Sequence, residues 1–213
     1  MNPPTSASID LARLPQLREL FALFNSGRHL NRVADPVLWA ALERAGADYT
    51  NLFAALGYEL RMDGRGYAWF HTADASANVS KTTRQLALLF MLVFELQADA
   101  GQQLARFGDW PIDRALLGAL WDKNRGLLEA EGYADVEPLL QLLDAAVRYG
   151  FADSTAAGGW RLLPAVARYL DRFEELAAAH QQAGASVMPP TGTMAGDGDD
   201  DDSSGNPAAG EPA

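Results

Sequence analysis

The chain has 213 residues, of which 48% are hydrophobic, enough for a packed core in one domain or in two small ones. It has no cysteine, which excludes a disulfide framework and any thiolate metal site. The net charge is −11; of the 28 acidic residues, six lie in a tail from Asp197 onwards that has no basic residue, which leaves 22 acidic against 17 basic residues before it. Any basic surface for a nucleic acid must therefore be local.

The first third of the chain predicts three helices. Apolar residues recur at helical spacing over residues 14–24. Asp35-Pro36 predicts the start of a second helix, because the carboxylate can cap it and proline fits its first turn. A third helix is predicted over residues 48–56, and the helical spacing assigns Val37 of the second helix and Leu56 of the third to the interior. Gly57 should end the third helix, since glycine adopts a positive φ at no steric cost.

A hairpin is predicted after these helices. Apolar residues alternate with polar ones over residues 58–62, which is the period of a strand. Asp63-Gly64 is a strong signal for a tight turn, and Tyr67 begins the returning strand. Helix, short link, two helices and a hairpin are the elements of a winged helix, in winged-helix order.

The second part of the chain predicts the same kinds of elements. A polar linker over residues 72–79 leads to a long helix, Ser80 to Ala100, whose centre reads LALLFMLVF. A helix that is hydrophobic on most sides is buried on most sides. Further helices are predicted over about 111–130 and 136–149. A second hairpin follows over 151–163, and a last helix starts at Pro164.

Two stretches of the chain look like copies of one another, 93 residues apart. In each, a helix ends at a glycine followed by an aromatic residue, Gly57-Tyr58 and Gly150-Phe151. In each, a second glycine-aromatic pair nine residues later begins another strand, Gly66-Tyr67 and Gly159-Trp160. The predicted fold class is mainly α with short β-hairpins (α+β), in the form of tandem winged-helix domains joined by a long buried helix.

The predicted domain organisation has four parts. Residues 1–10 form a flexible N-terminus, 11–75 the first winged-helix domain, 80–182 the second with the central and last helices, and 184–213 a disordered acidic tail. The N-terminal segment has neither a basic nor an apolar region of a secretion signal. We therefore expect a cytoplasmic protein.

Catalytic signatures are missing from the sequence. The histidines, His29, His71 and His180, do not have metal-ligand spacing. No glycine-rich phosphate loop and no nucleophile elbow is present. We expect no enzyme activity, no metal and no cofactor.

Basic residues near the first hairpin and the long helix are the candidate DNA-binding residues. They are Arg28, Arg32, Arg61, Arg65, Lys81 and Arg84. In a winged helix the wing tip and nearby helix ends often face the DNA backbone, where Arg and Lys neutralise phosphates. The alternative is that all six are ordinary solvated cations. The second hairpin is nearly neutral, which favours a protein partner there.

Three segments, residues 17–39, 52–70 and 80–101, resemble the MksE/MukE group, the small tandem winged-helix (KITE) subunits of bacterial condensins. The resemblance implies a homodimer without catalytic activity. It implies binding to a kleisin subunit (MksF/MukF-like) and, through it, to an SMC ATPase (MksB/MukB-like). It also implies contact with the DNA backbone without sequence specificity, at the nucleoid, in chromosome organisation and segregation. Related Wadjet systems use the same architecture to eliminate plasmids.

A free-standing winged-helix transcription regulator is the alternative function. Such a protein needs a basic recognition helix. The predicted helix over residues 48–56, DYTNLFAAL, has no Lys or Arg and one Asp, which counts against reading of the major groove.

Overall fold

The computed structural model of the protein describes residues 11–71 and 81–185. The predicted flexible N-terminus, the polar linker 72–79 and the predicted acidic tail from residue 186 onwards lie outside the described residues. Residues 184 and 185, which the sequence predicts to belong to the disordered tail, are the end of the last helix. Residues up to Glu174 belong to one compact unit, which contains both winged-helix sheets. The boundary between two separate winged-helix domains stays a prediction.

The first half of the chain forms three helices and a three-stranded antiparallel sheet. In chain order the elements are α1 (Leu17–Asn25), β1 (Leu30–Asn31), α2 (Pro36–Arg44), α3 (Gly46–Ala55), β2 (Glu59–Asp63) and β3 (Tyr67–His71). The strands lie in the order β1-β3-β2, with Asn31 opposite Tyr67 and Arg61 opposite Trp69. Both the element order and the strand order are those of a winged helix.

The second half repeats this order with a shorter first strand. Its elements are α4 (Lys81–Asp99), α5 (Arg114–Ala130), α6 (Glu137–Arg148), β4 (Ala152–Ser154), β5 (Trp160–Leu162) and α7 (Ala167–Ala185). Between α4 and α5, Ile112 forms a single bridge to Trp160, the first residue of β5. The strand order is therefore Ile112, β5, β4, which matches β1-β3-β2. Ile112 takes the place that Asn31 has in the first half.

The two helix ends that define the sequence repeat have the same hydrogen bonds. After α3, Tyr58 N donates to Phe53 O at 2.8 Å, and Gly57 has φ of 84°. After α6, Phe151 N donates to Ala146 O at 2.8 Å, and Gly150 has φ of 74°. A bond that spans six residues around a left-handed glycine is the Schellman motif. The glycine ends that the sequence predicts at both helices are confirmed.

Strand β3 contributes to two hydrophobic cores. Ala68 and Phe70 pack into the core of the first half, with α1, α2 and α3. Tyr67 and Trp69 pack into the core of the second half, with α4, α5 and α6. Side chains alternate between the two faces of a strand, so one hairpin can serve both cores. Strand β3 of the first wing is therefore an internal layer of the molecule, whereas most of β2 is exposed.

Helix α4 is buried as its sequence predicts. Its buried side chains are Leu86, Leu89, Phe90, Leu92, Val93, Phe94 and Gln97. Two apolar residues that the periodicity assigns to the interior of the first half lie outside instead. Val37 is 69% exposed and Leu56 is 57% exposed. Helix α3 begins at Gly46, two residues earlier than predicted, and ends before Leu56.

Candidate functional site

The arginines of the first wing are bound to carboxylates. Arg61 Nε donates to Glu59 at 2.7 Å. Arg65 lies between two partners, with 2.8 Å to Asp63 and 2.5 Å to Asp171 of α7. The hydrogen bond from the Arg65 side chain lowers the pKa of Asp63 to about 2. Both wing arginines therefore lie beside anions of the chain itself, which reduces the positive potential that a DNA phosphate would meet.

The other two candidates near this hairpin differ from each other. Arg28 faces Asp35 at 3.5 Å. Arg32 is exposed, and its guanidinium lies 5.6 Å from the centre of the Trp39 ring. Its backbone N donates to Gly66 O at 2.8 Å, which places it beside the wing turn. Within residues 11–71 and 81–185, Arg32 has no carboxylate partner.

Lys81 and Arg84 lie in the first turn of α4, away from this group in the chain. Both are exposed and border a surface recess together with Leu88 and Glu131. Neither forms an ion pair with another described residue. The structure thus gathers four of the six predicted residues around the first hairpin and leaves two at the start of α4.

A buried polar cluster joins the two halves of the molecule. Asn31, at the end of β1, is fully buried; its side-chain amide donates to Gly150 O at 2.8 Å, and its side-chain oxygen accepts from Ala165 N at 3.1 Å. The neighbouring His29 N donates to Tyr149 O at 2.9 Å. A Cβ at Gly150 would lie 2.3 Å from His29 O, so only glycine permits this close approach.

The protonation state of His29 follows from its partners. Its Nδ1 donates to Tyr149 O at 3.0 Å, and its Nε2 accepts from Arg168. Burial, and secondarily the positive charge of Arg168, lower the pKa of His29 to about 3. The imidazole is therefore neutral at pH 7, with one ring nitrogen as donor and the other as acceptor.

Arg168 is held between the first wing and the second half. Its guanidinium lies 4.3 Å from the centre of the Trp69 ring, a cation–π contact. Burial lowers its pKa, since no described carboxylate offsets the loss of solvent. Sequence reasoning missed Asn31, Arg168 and the role of His29. Their partners lie more than 100 residues away in the chain, and no spacing pattern signals such contacts.

An apolar groove lies on the outer side of the first half, between α1 and α3. Its lining consists of Leu11, Leu17, Arg18, Phe21, Leu52, Phe53 and Leu56. Of these residues, Leu11 is 59% exposed and Leu56 is 57% exposed. Arg18 is the charged residue of the lining, and it has no ion-pair partner among the described residues. Helix α3 holds the position at which DNA-reading winged helices carry their recognition helix, and here Leu52 of the helix and Leu56 just after its end line the groove.

Two other kinds of site are absent from the described residues. No group of three or more His, Cys, Asp or Glu side chains there could hold a metal ion. No described helix is long and apolar enough to span a bilayer.

The order of helices and strands in both halves defines a tandem winged-helix protein. The model of the family described as condensin complex protein MksE matches residues 15–174. The chain therefore belongs to the MksE family, and the resemblance seen in the sequence is confirmed. The match ends before the acidic tail. No curated protein matches the chain.

Proposed function

We propose that this protein is a non-catalytic accessory subunit of an SMC/condensin-like complex, which binds the kleisin subunit and DNA in chromosome organisation and segregation. The observation that carries the proposal is the apolar groove between α1 and α3. Helix α3 has no Lys or Arg, and the groove holds its partly exposed Leu52 and, just after its end, the exposed Leu56, which suits a protein partner better than the major groove. Membership of a condensin family supports the kleisin as that partner.

The charge at the groove indicates the chemistry of the kleisin segment. Arg18 borders the groove, and Arg13 is exposed one turn before α1. An amphipathic segment fits, with apolar side chains on one face and acidic residues beside them, because it would bury the leucines and neutralise these cations. We also propose that the protein forms a homodimer.

The test is co-purification with the kleisin-like protein of the same genome. Leu52→Glu with Leu56→Glu should reduce complex formation by at least about tenfold, since charges would be buried against apolar side chains. Val37→Glu is the matched control, because Val37 is an exposed apolar residue outside the groove. Equal binding by both variants would remove the groove from the interface. Folding of each variant is checked by circular dichroism.

We propose that DNA contact is direct, weak and without sequence specificity. Arg32, Lys81 and Arg84 would contribute most of it, since Arg28, Arg61 and Arg65 already face carboxylates. Each lost phosphate contact should reduce the slope of log K against log salt by about 0.9. Arg32→Gln, Lys81→Gln and Arg84→Gln are compared with Arg106→Gln, whose arginine pairs with Asp109. Unchanged slopes would limit DNA contact to the partner subunits.

A free-standing transcription regulator is the second candidate. It requires preference for one DNA sequence over others, which the composition of α3 disfavours. A binding-site selection experiment distinguishes the two, because an accessory subunit enriches no sequence. Plasmid defence, as in Wadjet systems, remains an alternative task of the same complex. Transformation efficiency of plasmids in a deletion strain separates that task from segregation, which is measured by the frequency of anucleate cells.

A further inference from the structure

An open cavity of about 650 Å³ lies where the end of α4 leads towards α5. Gln97 of α4 lines it, and Pro111 and Asp113 line it from the chain just before α5. Gln97 is only 8% exposed, and its side-chain amide forms no hydrogen bond with a described residue. Nearly all buried polar groups in proteins are hydrogen-bonded. The cavity therefore favours an occupant that offers a donor or an acceptor to this amide.

The backbone on either side of Ile112 has further unpaired groups at the same cavity. Ile112 N donates to Trp160 O at 3.0 Å, and Trp160 N donates to Ile112 O at 2.7 Å. When two residues of an antiparallel pair exchange both bonds, the next residues direct their backbone groups away from the partner strand. The C=O of Pro111 and the N–H of Asp113 therefore face outwards, and neither forms a hydrogen bond within residues 11–71 and 81–185. The second sheet has an open edge here.

The equivalent edge of the first sheet is closed by the protein itself. Asn31, which has the position of Ile112, is fully buried, and its side chain binds backbone groups of the second half at 2.8 and 3.1 Å. At the second sheet, Pro111 and Asp113 are both exposed. An exposed edge of a sheet is a template for pairing with another strand. The comparison indicates that the second edge can receive a strand from outside this unit.

The charges of the lining favour a peptide with one basic side chain. Arg106 pairs with Asp109 at 2.8 Å, so these two charges offset each other. Asp113 has no ion-pair partner among the described residues, although its Oδ1 accepts from Leu116 N as the cap of α5. A Lys or Arg of an added peptide would complement this carboxylate. The peptide backbone itself supplies the alternating N–H and C=O groups that an open edge requires.

We propose that this edge receives an extended segment of the kleisin, as a strand added beside Ile112. Its backbone pairs with Pro111 O and Asp113 N, a further backbone amide binds the side chain of Gln97, and a Lys or Arg of the segment lies beside Asp113. The proposal rests on the proposed function, which names the kleisin as the partner. It adds a second contact to the apolar groove between α1 and α3, because the two linings share no residue.

Hydrogen–deuterium exchange tests the added strand, with the full chain alone and in complex with the kleisin-like protein of the same genome. The N–H of Asp113 should exchange at least about tenfold more slowly in the complex, because a new backbone hydrogen bond protects it. The N–H of Trp160 is the control in the same sheet, since it already donates to Ile112 O and should change little. Unchanged exchange at Asp113 in a complex that does form would overturn the proposal.

Two variants of the lining test the same contact by affinity. Gln97→Leu should weaken kleisin binding by about fivefold or more, because the partner amide loses its hydrogen bond. Asp113→Asn keeps the helix cap, since asparagine caps as well as aspartate, and should weaken binding by about threefold at low salt. Asp135→Asn is the matched control, because Asp135 is also exposed and accepts from Glu137 N at the start of α6.

The outcomes distinguish this proposal from the proposed function. If Leu52→Glu with Leu56→Glu reduces binding while Gln97→Leu and Asp113→Asn bind as Asp135→Asn does, the groove contact stands and the added strand is wrong. If the wild type does not bind the kleisin, both are wrong. Slow exchange at Asp113 that depends on the concentration of this protein alone would make a second copy the occupant and would also overturn the proposal. Circular dichroism checks folding, and Asp113→Asn carries the test if Gln97→Leu does not fold.

Discussion

The two halves of the molecule share a strand order and a helix ending, but their corresponding residues have different environments. Nothing lies within 4 Å of a Cβ placed at Gly57, whereas one placed at Gly150 would lie 2.3 Å from His29 O. Asn31 in the first half is buried and polar, while its counterpart Ile112 is buried and apolar. The repeated positions preserve the fold, and the differences between them join the halves. Duplicated units can therefore diverge at equivalent positions without loss of their shared topology.

The largest difference is expected between alanine substitutions at the two glycines. Gly57→Ala should cost about 1–2 kcal/mol, the strain of a left-handed backbone for a residue with a Cβ. Gly150→Ala adds a clash with backbone that cannot rotate away, so the total should be about 3–5 kcal/mol. Urea unfolding of both variants measures the difference. Equal costs would mean that the halves are not in close contact at Gly150.

The buried His29, which lies where the two halves meet, should make the free energy of unfolding decrease in acid. The pKa of His29 is about 3 in the folded protein and 6.5 ordinarily, so between these values only the unfolded chain binds the proton. The contribution of His29 to the free energy of unfolding is therefore fully present above pH 6.5. Below pH 6.5 it decreases by about 1.4 kcal/mol for each pH unit. From pH 6 to pH 4 the loss from this group should be about 2–3 kcal/mol.

Urea unfolding at several pH values checks this slope. His29→Asn removes the titrating group, so its free energy of unfolding should fall less steeply over pH 6 to 4, whatever its value at pH 7. His71→Asn is the control from the first half; His71 is partly exposed beside Glu59. If the slope of His29→Asn equals that of the wild type, then His29 is not buried as a neutral group.

Asn31, the polar counterpart of Ile112, should stabilise the folded protein through its two hydrogen bonds to the second half. Asn31→Ala leaves Gly150 O and Ala165 N buried without their hydrogen bonds, at an expected cost of about 2–3 kcal/mol. Ile112→Val, which removes one methyl group at the equivalent position, should cost only about 1 kcal/mol. Thermal unfolding compares the two. A smaller effect at Asn31 would indicate that water replaces its amide.

The smallest effect is expected at the exposed ion pair between Arg65 of the first wing and Asp171 of α7. Asp171→Asn should cost less than about 1 kcal/mol, and the cost should shrink at high salt, since Arg65 and Asp171 are both about half exposed. The same variant frees charge on Arg65 and should strengthen DNA binding slightly. Asp153→Asn frees Arg161 on the second wing and is the matched control. Gel shifts at low salt measure both variants, and an equal response would remove the distinction between the wings.

Local patterns predicted the elements well because their causes are local. The positive φ that ends α3 and α6 requires glycine, and the alternation of residues 58–62 follows from the two faces of a strand. The pairing of Arg65 with Asp171 could not be predicted, since 106 residues separate them. Exposure of Leu56 was missed for another reason. Helical periodicity identifies an apolar face, but it cannot show whether the chain itself covers that face.

Strand β3 determines how easily the two halves of the molecule can separate. Its Ala68 and Phe70 belong to one core and its Tyr67 and Trp69 to the other. Separation of the halves would therefore expose apolar side chains on one face of the strand to solvent. Its backbone amides should therefore be among the slowest to exchange with deuterium, released only when the whole unit unfolds. A pull on either half would reach the other through this strand as well as through the polar cluster around Asn31, which makes the wing a mechanical coupling.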